Sequence, residues 1–161
     1  MALIKRALHG VTQEGTSTRV FAGAPYPSGG KTGTTQAVGV RQNEKYNASK
    51  LEEHKRDHSW YIAMAPIDEP TVALAVIVEN SGFGSEAAAP IARRVFDYLL
   101  AGQYPSEEDM AATRIGKSSA PIGTPRRVVD IPLPGAGSIA MNPGQPPGAA
   151  VAAARLPAVQ P

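Results

Sequence analysis

The sequence predicts an α+β fold in which antiparallel strands carry one packed C-terminal helix and a disordered tail follows. Three observations predict it. Residues 60–65 and 71–78 read as two strands joined by a short polar turn. Residues 88–101 repeat apolar side chains at helical spacing. All nine aromatic residues lie at or before Tyr104, whereas ten of the fifteen prolines lie after it. The packable portion is therefore 1–104, part of a folded domain, and 105–161 reads as a basic Pro/Gly/Ala-rich tail with too few large apolar groups to build a core.

The elements follow in order. In residues 1–9, Leu3, Ile4, Ala7 and Leu8 share one face, with Lys5, Arg6 and His9 away from it. This predicts the last turns of an amphipathic helix, stopped by Gly10. No residue caps its start, so the chain is expected to begin mid-domain. Residues 19–24 read as a short extended segment, and Pro25, Pro27, Gly29 and Gly30 punctuate a turn. Residues 31–40 are rich in Thr and Val and predict a strand, with Gly33 and Gly39 as points of close backbone approach. Residues 41–57 are densely polar, with a short exposed helix expected over 48–57.

The clearest strand signal is next. Trp60, Ile62 and Met64 alternate with Tyr61, Ala63 and Ala65, and Pro66 ends the run. After a turn with Asp68 and Glu69 at its tip, Val72, Leu74, Val76 and Val78 take one face and Ala73, Ala75 and Ile77 the other. A run apolar on both sides predicts a strand covered on both faces. A helix is expected from Ser85 or Ala89 to Ala101, with Gly102 as its stop and Pro90 in the first turn. Its stripe is Ala88, Ile91, Ala92, Val95, Phe96 and Leu99, leaving Arg93, Arg94 and Asp97 outward. The resulting layer is a three-stranded antiparallel sheet with one packed helix, too small to cover both sheet faces.

Charge and composition exclude several functions. The net charge of +2 divides into −2 over 1–110 and +4 over 111–161. The basic balance thus comes from five scattered tail residues and does not indicate a nucleic-acid partner. The absence of cysteine excludes disulfides, a thiol nucleophile and a Cys-based metal site. No apolar run approaches the roughly 20 residues that span a bilayer, and residues 1–8 are too short an apolar stretch for a signal peptide.

The residues that point to chemistry are Lys31, Thr32, Gly33 and Thr34. A lysine places a positive charge beside a reaction centre. The two threonine hydroxyls can donate to a carboxylate, and a glycine without Cβ lets a ligand backbone lie against the strand. Lys-Thr-Gly on a sheet edge is also one of three active-site motifs of penicillin-recognising serine enzymes.

Longer stretches support the same comparison. Residues 10–39 (GVTQEGTSTRVFAGAPYPSGGKTGTTQAVG), 46–66 (YNASKLEEHKRDHSWYIAMAP) and 72–84 (VALAVIVENSGFG), with the helix after them, resemble the C-terminal end of the class B penicillin-binding proteins of the penicillin-binding protein 2 type. The resemblance implies the C-terminal portion of a transpeptidase domain of the penicillin-binding-protein/serine β-lactamase type. It implies a peptidoglycan D,D-transpeptidase active in cell elongation at the periplasmic face of the inner membrane. Its ligands would be stem peptides ending in D-Ala-D-Ala and β-lactams, its partners proteins of the elongation machinery, and it would need no cofactor or metal. By position, Lys31 would serve the electrostatics and proton network, Thr32 and Thr34 would bind the terminal carboxylate, and Gly33 would complete the substrate-binding stretch by letting the substrate backbone lie against the strand. The backbone N–H of Thr34 would be one of two oxyanion-hole donors. In the implied reaction a serine attacks the D-Ala–D-Ala bond, D-alanine leaves, and an amine of a neighbouring stem peptide resolves the acyl-enzyme.

The departures from the family matter equally. No Ser-x-Asn occurs, and the one Ser-x-x-Lys string, Ser28-Gly29-Gly30-Lys31, lies in a Pro/Gly turn where a helix start is required. The expectation is a fragment that carries the Lys-Thr-Gly motif without its nucleophile, and so no activity of its own. The alternatives are a non-catalytic remnant that still binds D-Ala-D-Ala, β-lactams or partners, and an inert truncation product. Other candidates favour structural roles. His54 and His58 stand four apart without the glutamate or third ligand of a zinc site. Asp57 and His58 read as loop packing, Asp68 and Glu69 as a solvated turn, and Gly82-Phe83-Gly84 as a strand-to-helix turn.

Overall fold

The structure, a computed structural model, describes residues 1–39, 46–117 and 119–131. The disordered tail expected after Tyr104 falls outside the described residues from 132 onward.

Three antiparallel strands form the main sheet in the order β1-β2-β3: β1 (Gly29–Thr35), β2 (His58–Ala65) and β3 (Val72–Val78). Alternation along β2 sends Ser59, Tyr61, Ala63 and Ala65 inward and leaves Trp60 and Ile62 exposed, as the two-residue period of a strand requires. The inward face meets α3 (Ala88–Ala101) and the single helical turn α2 (Thr18–Phe21). Tyr61, Ala63 and Ala65 pack there with Val20, Phe21, Ala88, Ala89, Ala92 and Phe96. Phe21 stacks on Tyr61 with centroids 5.9 Å apart, and Tyr26 meets Phe96 edge-on at 6.0 Å.

Several expectations are corrected. Helix α1 runs from Ala2 to Gln13, through Gly10 rather than to it. A glycine inside a helix costs only about 1 kcal/mol, and tertiary contacts offset it: buried Thr12 donates to Ser28 O at 2.7 Å. The extended segment expected at 19–24 is helical turn α2, whose Val20 and Phe21 N–H groups both donate to Ser17 O at 3.0 Å. The helix expected over 48–57 is two 3-10 turns, Ala48–Lys50 and Glu53–Lys55. The strand expected over 31–40 begins earlier and ends at Thr35.

Strand β3 is not covered on both faces. Val72, Leu74, Val76 and Val78 are half-buried, whereas Ala73, Ala75 and Ile77 are exposed. The described helices α2 and α3 supply a layer on one face only, so continuous apolarity does not translate into two-sided burial. Helix α3 is likewise rotated from its expected stripe. Arg93 and Asp97 are buried, while Ile91, Val95 and Leu99 are exposed. The charges are tolerated because they satisfy one another: Arg93 Nε donates to both Asp97 carboxylate oxygens at 2.9 Å. The same guanidinium donates through a second nitrogen to Val20 O and Ala22 O at 3.0 Å. Gly102, at φ 59°, ends the helix as expected.

Folded structure continues past Tyr104, where the Pro/Gly/Ala bias led to the expectation of a tail. A two-stranded sheet pairs β4 (Gln103–Tyr104) with β5 (Arg126–Arg127), and α4 (Glu107–Arg114) lies between them in sequence. Ser106 caps α4 by accepting the Asp109 N–H at 3.0 Å. Three acidic residues occupy the first turn and Arg114 the last, an arrangement that suits the helix dipole. Asp109, buried, takes two bonds from Arg94 of α3, at 2.9 and 2.5 Å.

Candidate functional site

Strand β1 pairs with β2 alone, so among the described residues its second edge is open to strand pairing. Such an edge presents unpaired backbone N–H and C=O groups to whatever approaches it. All four candidate site residues lie on this strand, opposite Ile62, Tyr61, Trp60 and Ser59 for Lys31, Thr32, Gly33 and Thr34 in turn. Cross-strand partners share a face. Thr32 and Thr34 therefore project on the Tyr61 side, and Lys31 projects on the Trp60 and Ile62 side. A ligand touching the lysine and both hydroxyls must lie along the open edge, where the two faces meet.

Lys31 is exposed, and its Nζ donates to Thr32 O at 2.8 Å. Thr34 is exposed and Thr32 half-buried. The Thr32 hydroxyl lies 3.1 Å from that of Thr16, a residue that sequence reasoning missed. Thr16 sits in the turn between α1 and α2, and no spacing rule links it to β1.

Two glycines hold this wall in place. Gly84, buried in the turn before α3, packs on the Gly33 and Trp60 backbones. A Cβ on Gly84 would collide with Trp60 O and stand 2.8 Å from Gly33 O. Gly30 packs directly on the Tyr61 phenol, where a Cβ would collide with the hydroxyl. Burial raises the pKa of that phenol to about 12.

The remaining candidates take structural positions. Ser28 is buried at 2% exposure immediately before β1, and Lys31 belongs to that strand, so the Ser-x-x-Lys string does not start a helix. His58 begins β2 and accepts the Asn80 N–H at 3.0 Å, while exposed His54 lies on a 3-10 turn 3.4 Å from Glu52. Buried Asp57 donates its N–H to Tyr46 Oη and accepts the Gly82 N–H at its carbonyl, both at 2.9 Å. Asp68 and Glu69 are exposed, and Gly82 at φ 79° turns the chain toward α3. An apolar groove of about 470 Å³ between α3 and α4, lined by Ile91, Val95, Leu99, Tyr104 and Met110 among others, shares no residue with β1.

Comparison with known proteins bears on this wall. A profile of the penicillin binding protein transpeptidase domain matches residues 1–97, which include β1, β2, β3 and most of α3. The chain is 43% identical over 106 residues to the peptidoglycan D,D-transpeptidase MrdA of Haemophilus influenzae, covering 65% of this chain and 16% of that protein. To MrdA of Escherichia coli K12 it is 41% identical over 102 residues, 62% of this chain and 16% of that one. The chain thus spans 16% of the length of these relatives. Among solved structures, Pseudomonas aeruginosa PBP2 in complex with WCK 5153 matches with a TM-score of 0.48 and 32% identity, over 60% of this chain and 19% of that one. The Helicobacter pylori complex of PBP2 with MreC matches with a TM-score of 0.49 and 21% identity, over 63% and 17%.

Proposed function

The chain belongs to the penicillin-binding-protein transpeptidase family, and on that premise we propose that β1 is the substrate-binding wall of a peptidoglycan D,D-transpeptidase. The observation that carries this reading is the Lys31-Thr32-Gly33-Thr34 sequence on a strand with an open edge. A D-Ala-D-Ala terminus extended along that edge would meet unpaired backbone groups and the two threonine hydroxyls. Thr32 and Thr34 donate to the terminal carboxylate, a charge-assisted bond stronger than a neutral one. Lys31 adds positive potential, favouring the carboxylate and the proton transfers of acylation. The Thr34 N–H stabilises the oxyanion of the tetrahedral intermediate. Gly33 leaves room for the ligand backbone beside Trp60.

The chemistry is acyl transfer from the penultimate D-alanine, with D-alanine as leaving group. In this reading the acylating serine and its base lysine come from sequence outside these 161 residues, together with the second oxyanion donor. The ligands are D-Ala-D-Ala stem peptides and β-lactams, and the partners are proteins of the elongation machinery. The setting is the periplasmic face of the inner membrane. Support comes from the family match and from the names of the relatives at 41% and 43% identity. No described helix is long and apolar enough to cross a membrane.

The test is incubation of the chain with a fluorescent penicillin, followed by titration with N-acetyl-D-alanyl-D-alanine. We expect no covalent label and reversible dipeptide binding that Thr32→Ala weakens by roughly tenfold, as loss of a hydrogen bond to a charged group implies. A covalent adduct on any serine of this chain would overturn the assignment of the nucleophile. Unchanged affinity in Thr32→Ala would overturn the carboxylate role.

A further inference from the structure

Thr16 approaches Thr32 from a different element, and buried bonds fix that approach. The neighbouring Ser17 is fully buried. Its Oγ donates to Val11 O at 3.1 Å and lies 2.9 Å from Tyr61 Oη. A serine hydroxyl has one proton. With that proton given to Val11, the Tyr61 hydroxyl is the donor in the second bond. Tyr61 is also the β2 residue directly opposite Thr32. The α1–α2 turn is thereby tied to the strand position that pairs with Thr32. Thr16 itself is exposed, and its Oγ1 stands 3.1 Å from Thr32 Oγ1.

We propose that Thr16 is a positioning residue of the carboxylate-binding wall, donating its hydroxyl proton to Thr32 Oγ1 so that the Thr32 proton is free for the ligand. This rests on the reading of β1 as that wall. A hydroxyl has one donor and two acceptor sites. If Thr32 donated to Thr16, it would present only lone pairs to an incoming carboxylate, and the contact would be repulsive. With Thr16 as donor, the two hydroxyls form a chain ending on the anion, and each bond polarises the next. The exposure of Thr16 means that its replacement leaves the core untouched.

The experiment is a double-mutant cycle on the full chain, read by NMR titration with N-acetyl-D-alanyl-D-alanine. Thr16→Val should weaken binding about fivefold, the equivalent of one neutral hydrogen bond. Thr16→Ser should retain wild-type affinity, because it keeps the hydroxyl. In a Thr32→Val background, Thr16→Val should cause no further loss. Melting temperatures should agree across the set. Equal losses in both backgrounds would make Thr16 an independent contact and overturn the positioning role. So would wild-type affinity in Thr16→Val, or a lowered melting temperature that Thr16→Ser fails to restore. A wild-type chain that does not bind the dipeptide would instead remove the carboxylate-wall reading, and the positioning role with it.

Discussion

At Tyr61 one side chain serves both core and wall. Its ring stacks on Phe21, its hydroxyl anchors Ser17, and Gly30 of β1 packs against it. Burial lifts its ionisation to about 12 from an ordinary 10.0. Tyr26 is raised further, by burial first and then by donating to Asp97. Below pH 10 the folded and unfolded chains both hold these protons, so the contribution of each phenol is fully present. Above pH 10 the unfolded chain loses protons that the folded chain retains, and stability falls. The melting temperature should therefore be insensitive to these groups below pH 10 and decline between pH 10 and 12. Tyr61→Phe should make that decline shallower, with Tyr26 sustaining the remainder. An unchanged slope in Tyr61→Phe would show that its phenol ionises alike in the folded and unfolded chains, so that burial does not raise it. At this scale the candidate site was partly legible. Lys31, Thr32, Gly33 and Thr34 are adjacent in sequence, and their chemistry follows from residue type. Thr16 was not legible, because its partner lies sixteen residues away across a tertiary contact.

Helix α3 illustrates what periodicity reveals about an element. Its existence, extent and Gly102 stop follow from local rules, since each depends on residues within a turn of one another. Its rotation about its own axis does not. Ile91, Val95 and Leu99 share a stripe with Ala92 and Phe96, yet only the latter two face the sheet core. Arg93, neutralised by Asp97, tips the balance by donating to the Val20 and Ala22 carbonyls at the end of α2. Asp97→Ala should destabilise the chain by about 3–5 kcal/mol, because it leaves a buried guanidinium unneutralised. Urea unfolding measures this, and the double replacement Arg93→Met with Asp97→Leu should cost far less. A small loss in Asp97→Ala would mean that the pair contributes nothing that solvent does not supply. Helix α4 was readable but outweighed by the Pro/Gly bias around it. Ser106-Glu107-Glu108-Asp109 carries the Ser-x-x-acid signature of a helix start.

At the scale of the molecule, the described residues form a compact unit that extends to Ile131 rather than stopping at Tyr104. The segment after Tyr104 adds charged anchors, not core. Asp109 takes the Arg94 guanidinium, and Arg126 bonds to Glu107 and Pro105 O while stacking 5.1 Å above the Tyr104 ring. A chain ending at 104 should therefore melt below one ending at 131, because Arg94 loses its carboxylate partner and Tyr104 its cover. Equal melting temperatures would place α4 outside the cooperative unit.

Alternation along β2, the helical repeat of α3 and the Lys31–Thr34 tetrad were all decided by residue type over short spans, which is why the strand pair, the terminal helix and the family emerged without coordinates. Which face of α3 is buried, which side of β3 stays exposed, whether α4 docks, and which hydroxyl stands beside Thr32 were decided only in the tertiary structure. Three of these four depend on a partner distant in sequence: Val20 for Arg93, Arg94 for Asp109, Thr16 for Thr32. Burial of a charge or a hydroxyl is tolerable only once such a partner satisfies it, and no local pattern encodes that condition.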